Sequence, residues 1–327
     1  MDERRIEWID TCKALGIILI VTGHFLPSQS LIRAFIYSFH GPLFFVLSGY
    51  ADKSKNSRTG YIFRKYNTLI IPYFKYVLLS MPYYMIYTSE LPSGLIAKFI
   101  FYVHGYTIWN GPLWFLVTLF QVQILYELLL KQRSHLWRGI AIMICLVGGW
   151  RLYLFGIDKL RYSTYLFGVE KILFLLPFYI LGKWLKTIKI VEMLGLAKSL
   201  GIVFITLILA LYFNVGYQKP ISIYGFVLNN YWGLVLTATL GALGVMGICV
   251  CIKPGEKLLL LGRNTVFIMG THYIFTKWWL ASLQGRQDAF AVAASILVSM
   301  LCIGSYYLIF VYRTKLSNAI RQNYSAL

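Results

Sequence analysis

The sequence predicts an all-α, polytopic membrane helix bundle of about ten transmembrane helices, and three observations predict it. Of 327 residues, 58% are hydrophobic, 17% aromatic and only 13% charged, whereas a soluble domain carries about twice that share of charge. Apolar runs recur along the whole chain, each near the ~20 residues that carry a helix across a ~30 Å hydrocarbon core. The basic residues fall in short clusters between those runs. Continuous apolar runs exclude a membrane barrel, whose strands alternate and are short.

Taken in order, the runs predict helices over 7–27, 33–52, 66–88, 111–130, 139–157, 164–184, 200–216, 227–252, 264–282 and 289–312. The first follows Asp2-Glu3-Arg4-Arg5 and is too long for a signal-peptide core, with no small-residue cleavage site after it, so it is expected to be retained. The stretch 94–110 is apolar but interrupted by His104-Gly105 and Asn110-Gly111-Pro112, which predicts a re-entrant or interfacial segment. Arg151, Asp158, Lys159 and Arg161 are expected as a rim in a loop on the outer side.

The net charge of +19 would suggest nucleic acid in a soluble protein. Here 20 of the 31 Lys and Arg residues sit on alternate loops, from Arg4-Arg5 and Lys53–Lys65 through Lys131–Arg138, Lys183–Lys198 and Lys253–Arg263 to Arg313–Arg321. That is the positive-inside pattern, so the charge reads as topology with both termini cytoplasmic, and no nucleic-acid partner is expected. The five cysteines lie in or beside apolar stretches without a C-x-x-C pair, which argues for reduced packing residues and against a disulfide framework or a zinc site. No internal repeat is visible, and no loop has room for a separate soluble catalytic domain. The whole of 1–327 is expected to form one membrane-embedded domain, with its chemistry inside the bundle.

The first helix carries three ionisable groups, Asp10, Lys13 and His24. At ~100° per residue, Lys13 lies about 20° and Asp10 about 40° from His24, so all three share one face. His24 lies some ~16–21 Å further along the axis than the other two. Such a stripe in a membrane marks a functional face by default. The bland alternative is a snorkelling Asp10/Lys13 pair and a packing histidine. The second helix adds His40-Gly41-Pro42 and a run from Phe44 to Gly49 that contains Ser48.

These two segments resemble the acyltransferase-3 family of membrane O-acyltransferases, in the branch similar to fucose 4-O-acetylases. Gly23-His24, with a basic residue eleven positions earlier, matches the end of that family's first helix, and Phe44-Phe45-x-x-Ser48-Gly49 matches its second. Weaker likenesses are Arg64-Lys65 before Pro72, Gly111-Pro112-Leu113-Trp114-Phe115-Leu116, and Leu261-Gly262-Arg263-Asn264-Thr265 with His272. Two departures are Lys13, where many members have Arg, and Gln121 where many have an acid.

The resemblance implies a membrane-bound O-acetyltransferase of the cell membrane that moves an acetyl group from cytoplasmic acetyl-CoA to a hydroxyl of a cell-surface or lipid-linked glycan, without a metal. His24 would be the catalytic histidine, as a base in direct transfer or as a covalent carrier of the acetyl group; both stay open. Asp10 and Lys13 would orient the donor or tune its path, and Arg64, Lys65 and Lys13 would meet its phosphates. His40, Ser48, Trp114, Glu170 and His272 are expected to line the acceptor site, against packing or interfacial roles for His40, Ser48 and His272 and a structural ion-pair role for Glu170. Glu170 and Lys171 point about 100° apart and are not expected to form a simple pair. The competing class is a glycan or small-anion transporter or flippase, against which the missing repeat and the two histidine motifs argue.

Overall fold

The computed structural model describes residues 6–53, 57–89, 91, 93–94, 110–155, 168–214, 221–223, 225 and 227–325. Its helices are α1 (Glu7–Phe25), α2 (Leu31–Tyr37), α3 (His40–Ala51), α4 (Arg58–Lys65), α5 (Ile71–Thr88), α6 (Trp114–Leu125), α7 (His135–Leu154), α8 (Val169–Ile188), α9 (Ile190–Met193), α10 (Leu196–Asn214), α11 (Tyr231–Cys251), α12 (Glu256–Arg263), α13 (Thr265–Ser282) and α14 (Ala289–Ser325). Among the described residues there is no strand, only an isolated antiparallel bridge between Ser222 and Val227. Eight helical segments are long and apolar enough to cross a membrane. Every predicted run has a helix in place, so the all-α polytopic bundle stands. The expected re-entrant stretch falls almost wholly outside the described residues, as do Asp158, Lys159 and Arg161.

Three boundaries differ from the sequence expectation for local reasons. The run at 33–52 breaks into α2 and α3 at Ser38-Phe39, because Gly41 and Pro42 lie at the start of α3, where an absent N–H costs nothing. The run at 66–88 begins eight residues early, in α4, and passes through a π turn at Tyr66–Ile70 before α5. Pro72 cannot donate to the carbonyl one turn back, and the turn widens so that the Ile71 N–H reaches Tyr66 O instead. The helix α12 precedes α13 and was not expected. It packs on α1 so closely that a Cβ at Gly262 would lie 1.9 Å from the Asp10 carbonyl oxygen.

Burial divides the bundle into a centre and a perimeter. Two-thirds of α1 is buried (67%) but only 11% of α7, so α1 is a core helix and α7 a lipid-facing one. Leu78, Leu136, Met143, Phe204, Leu301 and Leu308 are exposed on the outer helices, as a bilayer requires and water would penalise. At the centre, α3 and α8 touch backbone to backbone. A Cβ on Gly49 would fall 2.0 Å from Tyr179 O, and one on Gly182 would fall 2.0 Å from Val46 O. Small residues permit this approach between membrane helices.

The basic clusters meet at the end where α1 begins. Trp8 packs edge-on against Tyr50 at 5.0 Å, Asp52 at the end of α3 binds Lys65 at 3.0 Å and Lys183 at 2.9 Å, and Arg138 and Lys183 both lie over the Tyr126 ring. Glu7, Lys257, Arg263 and Lys315 line one cavity of about 640 Å³ at this end, which brings the start of α1 beside the later part of α14. His24 lies at the opposite end.

Candidate active site

A cavity of about 300 Å³ opens at the histidine end, lined by His24 from α1, Arg33 and Tyr37 from α2, His40 and Gly41 from α3, Gly111, Pro112 and Trp114, residues 221–223, and Tyr273 and Leu280 from α13. The break between α2 and α3 builds much of this wall. It puts His40 in the first turn of α3, where its Nδ1–H donates to Ile36 O at 2.9 Å, a carbonyl at the end of α2 that also accepts from the Phe39 N–H. The bridge between Ser222 and Val227 folds residues 221–223 over the opening, through two hydrogen bonds of 2.8 Å.

The hydrogen bonds around His24 fix which nitrogen is free. His272 Nδ1 lies 2.9 Å from Ile268 O, and a carbonyl only accepts, so that nitrogen carries its proton. With the His272 ring neutral, its Nε2 is an acceptor, and it lies 3.0 Å from His24 Nδ1. His24 therefore donates from Nδ1 and keeps the lone pair of Nε2. The two rings stack 5.1 Å apart, with Tyr37 and Tyr273 each 5.8 Å from His24. The arrangement is a base whose orientation and tautomer are set from behind by a second imidazole anchored to backbone.

The residues expected from the sequence divide into two groups. His24, His40 and Trp114 line the cavity. His272 is wholly buried and stands behind His24, off the cavity wall. Ser48 lies away from the cavity, a weak 3.5 Å acceptor for Gln123 Nε2. Asp10 and Lys13 occupy the other end of α1, where Asp10 is buried under α12 and pairs with Lys13 at 3.4 Å and, more loosely, with Arg263 at 3.8 Å.

Lys65 is bound to Asp52. Arg64 is exposed, donates to Lys53 O at 3.3 Å and lies 5.5 Å over the Tyr61 ring. One expectation is corrected outright: Glu170 and Lys171 do pair, at 2.7 Å and both buried. Their Cβ atoms diverge, but the four-carbon stem of lysine spans the angle within the first turn of α8. Gly168 just before it takes a left-handed φ of +68°, where a side chain would be strained and would crowd the Lys171 ammonium.

Sequence reasoning missed Arg33, Tyr37 and Tyr273 at the cavity, and Asp52 at the other end. Arg33 had a signal: it is a lone basic residue on the minority side, nine residues from His24 and seven from His40. Asp52 collects Lys65 and Lys183 together with hydroxyl bonds from Tyr179 at 2.9 Å and Tyr61 at 3.2 Å. Burial alone would push its carboxyl up, but the two ammonium groups outweigh that and hold it at about 2. Among the described residues no group of three or more His, Cys, Asp or Glu side chains could hold a metal ion.

Comparison with known proteins supplies the family. No curated protein and no solved structure matches. The family profile described as an acyltransferase domain, that of the acyltransferase-3 family, matches residues 6–310, from the first turn of α1 well into α14 and across every residue of the cavity. With a helical bundle, eight segments able to cross a membrane and a match over nearly its whole length, the chain belongs to the acyltransferase-3 family and is a multi-pass membrane acyltransferase.

Proposed function

We propose that the protein is an O-acetyltransferase of the fucose 4-O-acetylase-like branch, resident in the cell membrane with both termini cytoplasmic. It transfers an acetyl group from cytoplasmic acetyl-CoA to a hydroxyl of a cell-surface or lipid-linked glycan. The gathering of the basic loops at the start of α1 supports the orientation, since Lys and Arg mark the cytoplasmic side. In that orientation the His24 cavity opens outward, towards a glycan, and the donor arrives from the basic end. Arg64, exposed there, is a guanidinium suited to a donor phosphate.

The observation that carries this reading is the lone pair of His24 Nε2, ordered by His272 and available on a cavity wall. As the acceptor oxygen attacks the thioester carbonyl carbon, Nε2 takes the hydroxyl proton. The carbon–sulfur bond then breaks, the acetyl ester remains on the acceptor, and the imidazolium returns its proton to the departing thiolate. Trp114 supplies a flat apolar face for a sugar ring. A transporter would leave the ordered imidazole without a task.

The test is thioester turnover by purified protein in lipid nanodiscs, with surface-glycan acetylation measured in cells. His24→Ala should lower transfer by about 10²–10⁴-fold, the usual worth of a general base, with unchanged expression and thermal midpoint. Transfer at the wild-type rate by that variant refutes the assignment.

A further inference from the structure

We propose that the acceptor bears an anionic group, a carboxylate or a phosphate, and that Arg33 recognises it beside the reacting hydroxyl. The inference rests on the acyltransferase reading for the word acceptor, but the anion site itself rests on Arg33. Several cations elsewhere in the molecule are matched by acids: the half-buried Lys65 and Lys183 by Asp52, and the buried Lys171 by Glu170. Arg33 has no carboxylate partner among the described residues. One of its terminal N–H groups donates to Leu26 O at 2.9 Å, its guanidinium carbon stands 4.8 Å over the Tyr37 ring, and its Nε is buried without a hydrogen-bond partner.

Arg33 is half-buried on the cavity wall, held by Leu26 O and by Tyr37, with no counter-charge among the described residues and its Nε donor unspent. A guanidinium so presented matches the two oxygens of a carboxylate or phosphate.

The placement favours an acceptor substituent over the reacting carbonyl. A donor to the transition-state oxyanion must sit about 2.7–3.1 Å from that oxygen, hence almost against the attacked carbon. Tyr37 contacts both groups, its ring centroid 5.8 Å from that of His24 and 4.8 Å from the Arg33 guanidinium. That spacing suits a charged substituent carried across a sugar ring from the hydroxyl that His24 deprotonates. His40, 4.7 Å from the same tyrosine, lines the same cavity.

The experiment measures binding by full-length protein in phosphatidylcholine nanodiscs, through the fluorescence of tryptophan, since Trp114 lines the cavity. Three probes are used: a glucuronate-containing oligosaccharide, the same oligosaccharide with its carboxyl reduced to an alcohol, and a phosphorylated form of the reduced one. At least one anionic probe should bind about tenfold or more tightly than the neutral one, with an advantage that shrinks as salt rises. R33Q should erase the preference and R33K should keep part of it. Should R33Q fail to fold, R33K and the salt dependence of the wild type decide.

Equal binding of all three probes overturns the proposal, as does a preference that survives in R33Q. Loss of anion preference in phosphatidylglycerol nanodiscs, with R33Q insensitive to that lipid, assigns Arg33 to a lipid headgroup and also overturns it. Anion preference without any thioester turnover by the wild type would instead defeat the acetyltransferase reading and leave the anion site standing.

Discussion

The two ends of this bundle bury the same kinds of side chain and use them in opposite ways. Around Asp52, two lysines and two tyrosines converge on one carboxylate, and its strongest contacts are met within the protein. Around His24, one further histidine, an arginine and two tyrosines line a cavity of about 300 Å³, with His272 behind, and polar capacity is left unspent, on His24 Nε2 and on Arg33 Nε. Closed polar networks hold helices together, whereas networks with vacancies are built to receive something. The distinction is one of charge matching, not residue type: Asp52 is met by two ammonium groups, whereas Arg33 has no carboxylate partner among the described residues.

The largest effect that would sharpen the contrast belongs to the closed end. Asp52→Ala leaves Lys65 and Lys183 without their shared counter-charge and should destabilise the protein by about 3 kcal/mol or more, read as a lowered thermal midpoint in nanodiscs. Turnover per folded molecule should stay near wild type. A selective loss of turnover at unchanged stability would erase the division drawn here.

Acid titration tests the same group. Its folded carboxyl sits at about 2, below the ~3.9 of an unfolded aspartate. Its contribution, on the order of 2–3 kcal/mol, is therefore present above roughly pH 4 and lost as the pH falls towards 2. Unfolding followed across that window should be less steep in Asp52→Asn than in the wild type.

At the open end, His272→Phe keeps a ring behind His24 but removes the acceptor for its Nδ1–H. Transfer should fall about 10- to 100-fold through kcat, with little change in KM, because His24 no longer holds one tautomer. His272→Gln, whose amide oxygen can accept, should recover part of that loss and shift the pH profile. Equal defects in both variants would reduce His272 to packing.

The smallest effect is expected at Arg64, exposed, bound to Lys53 O and resting over the Tyr61 ring. Arg64→Ala should change stability by less than about 0.5 kcal/mol and raise KM for acetyl-CoA severalfold. An unchanged KM removes Arg64 from the donor site.

Much of this was legible in the sequence, and what was not has a physical cause. Helix positions follow from apolar runs, because a bilayer allows little else. His24 and His40 stood out as ionisable groups beside a Gly-Pro break, and Trp114 as part of a short motif. The Asp52 cluster draws on α3, α4 and α8, whose meeting is a fact of packing that no window of sequence contains. The backing of His24 by His272 joins residues 248 positions apart. Angular spacing also overstates what one helix can say: Asp10, Lys13 and His24 share a face of α1, yet α12 covers the first and the cavity claims only the last.

The contact between Gly49 and Gly182 constrains how such an enzyme can work. With each backbone occupying the space where the other's side chain would stand, α3 and α8 cannot slide past one another by a residue without driving a Cβ into a carbonyl. The pair is a fixed post through the protein, carrying His40 at one tip and Asp52 at the other. Any breathing that lets an acyl donor in and an acylated acceptor out must then fall to the pieces hung around that post, so hydrogen exchange should be slowest along it.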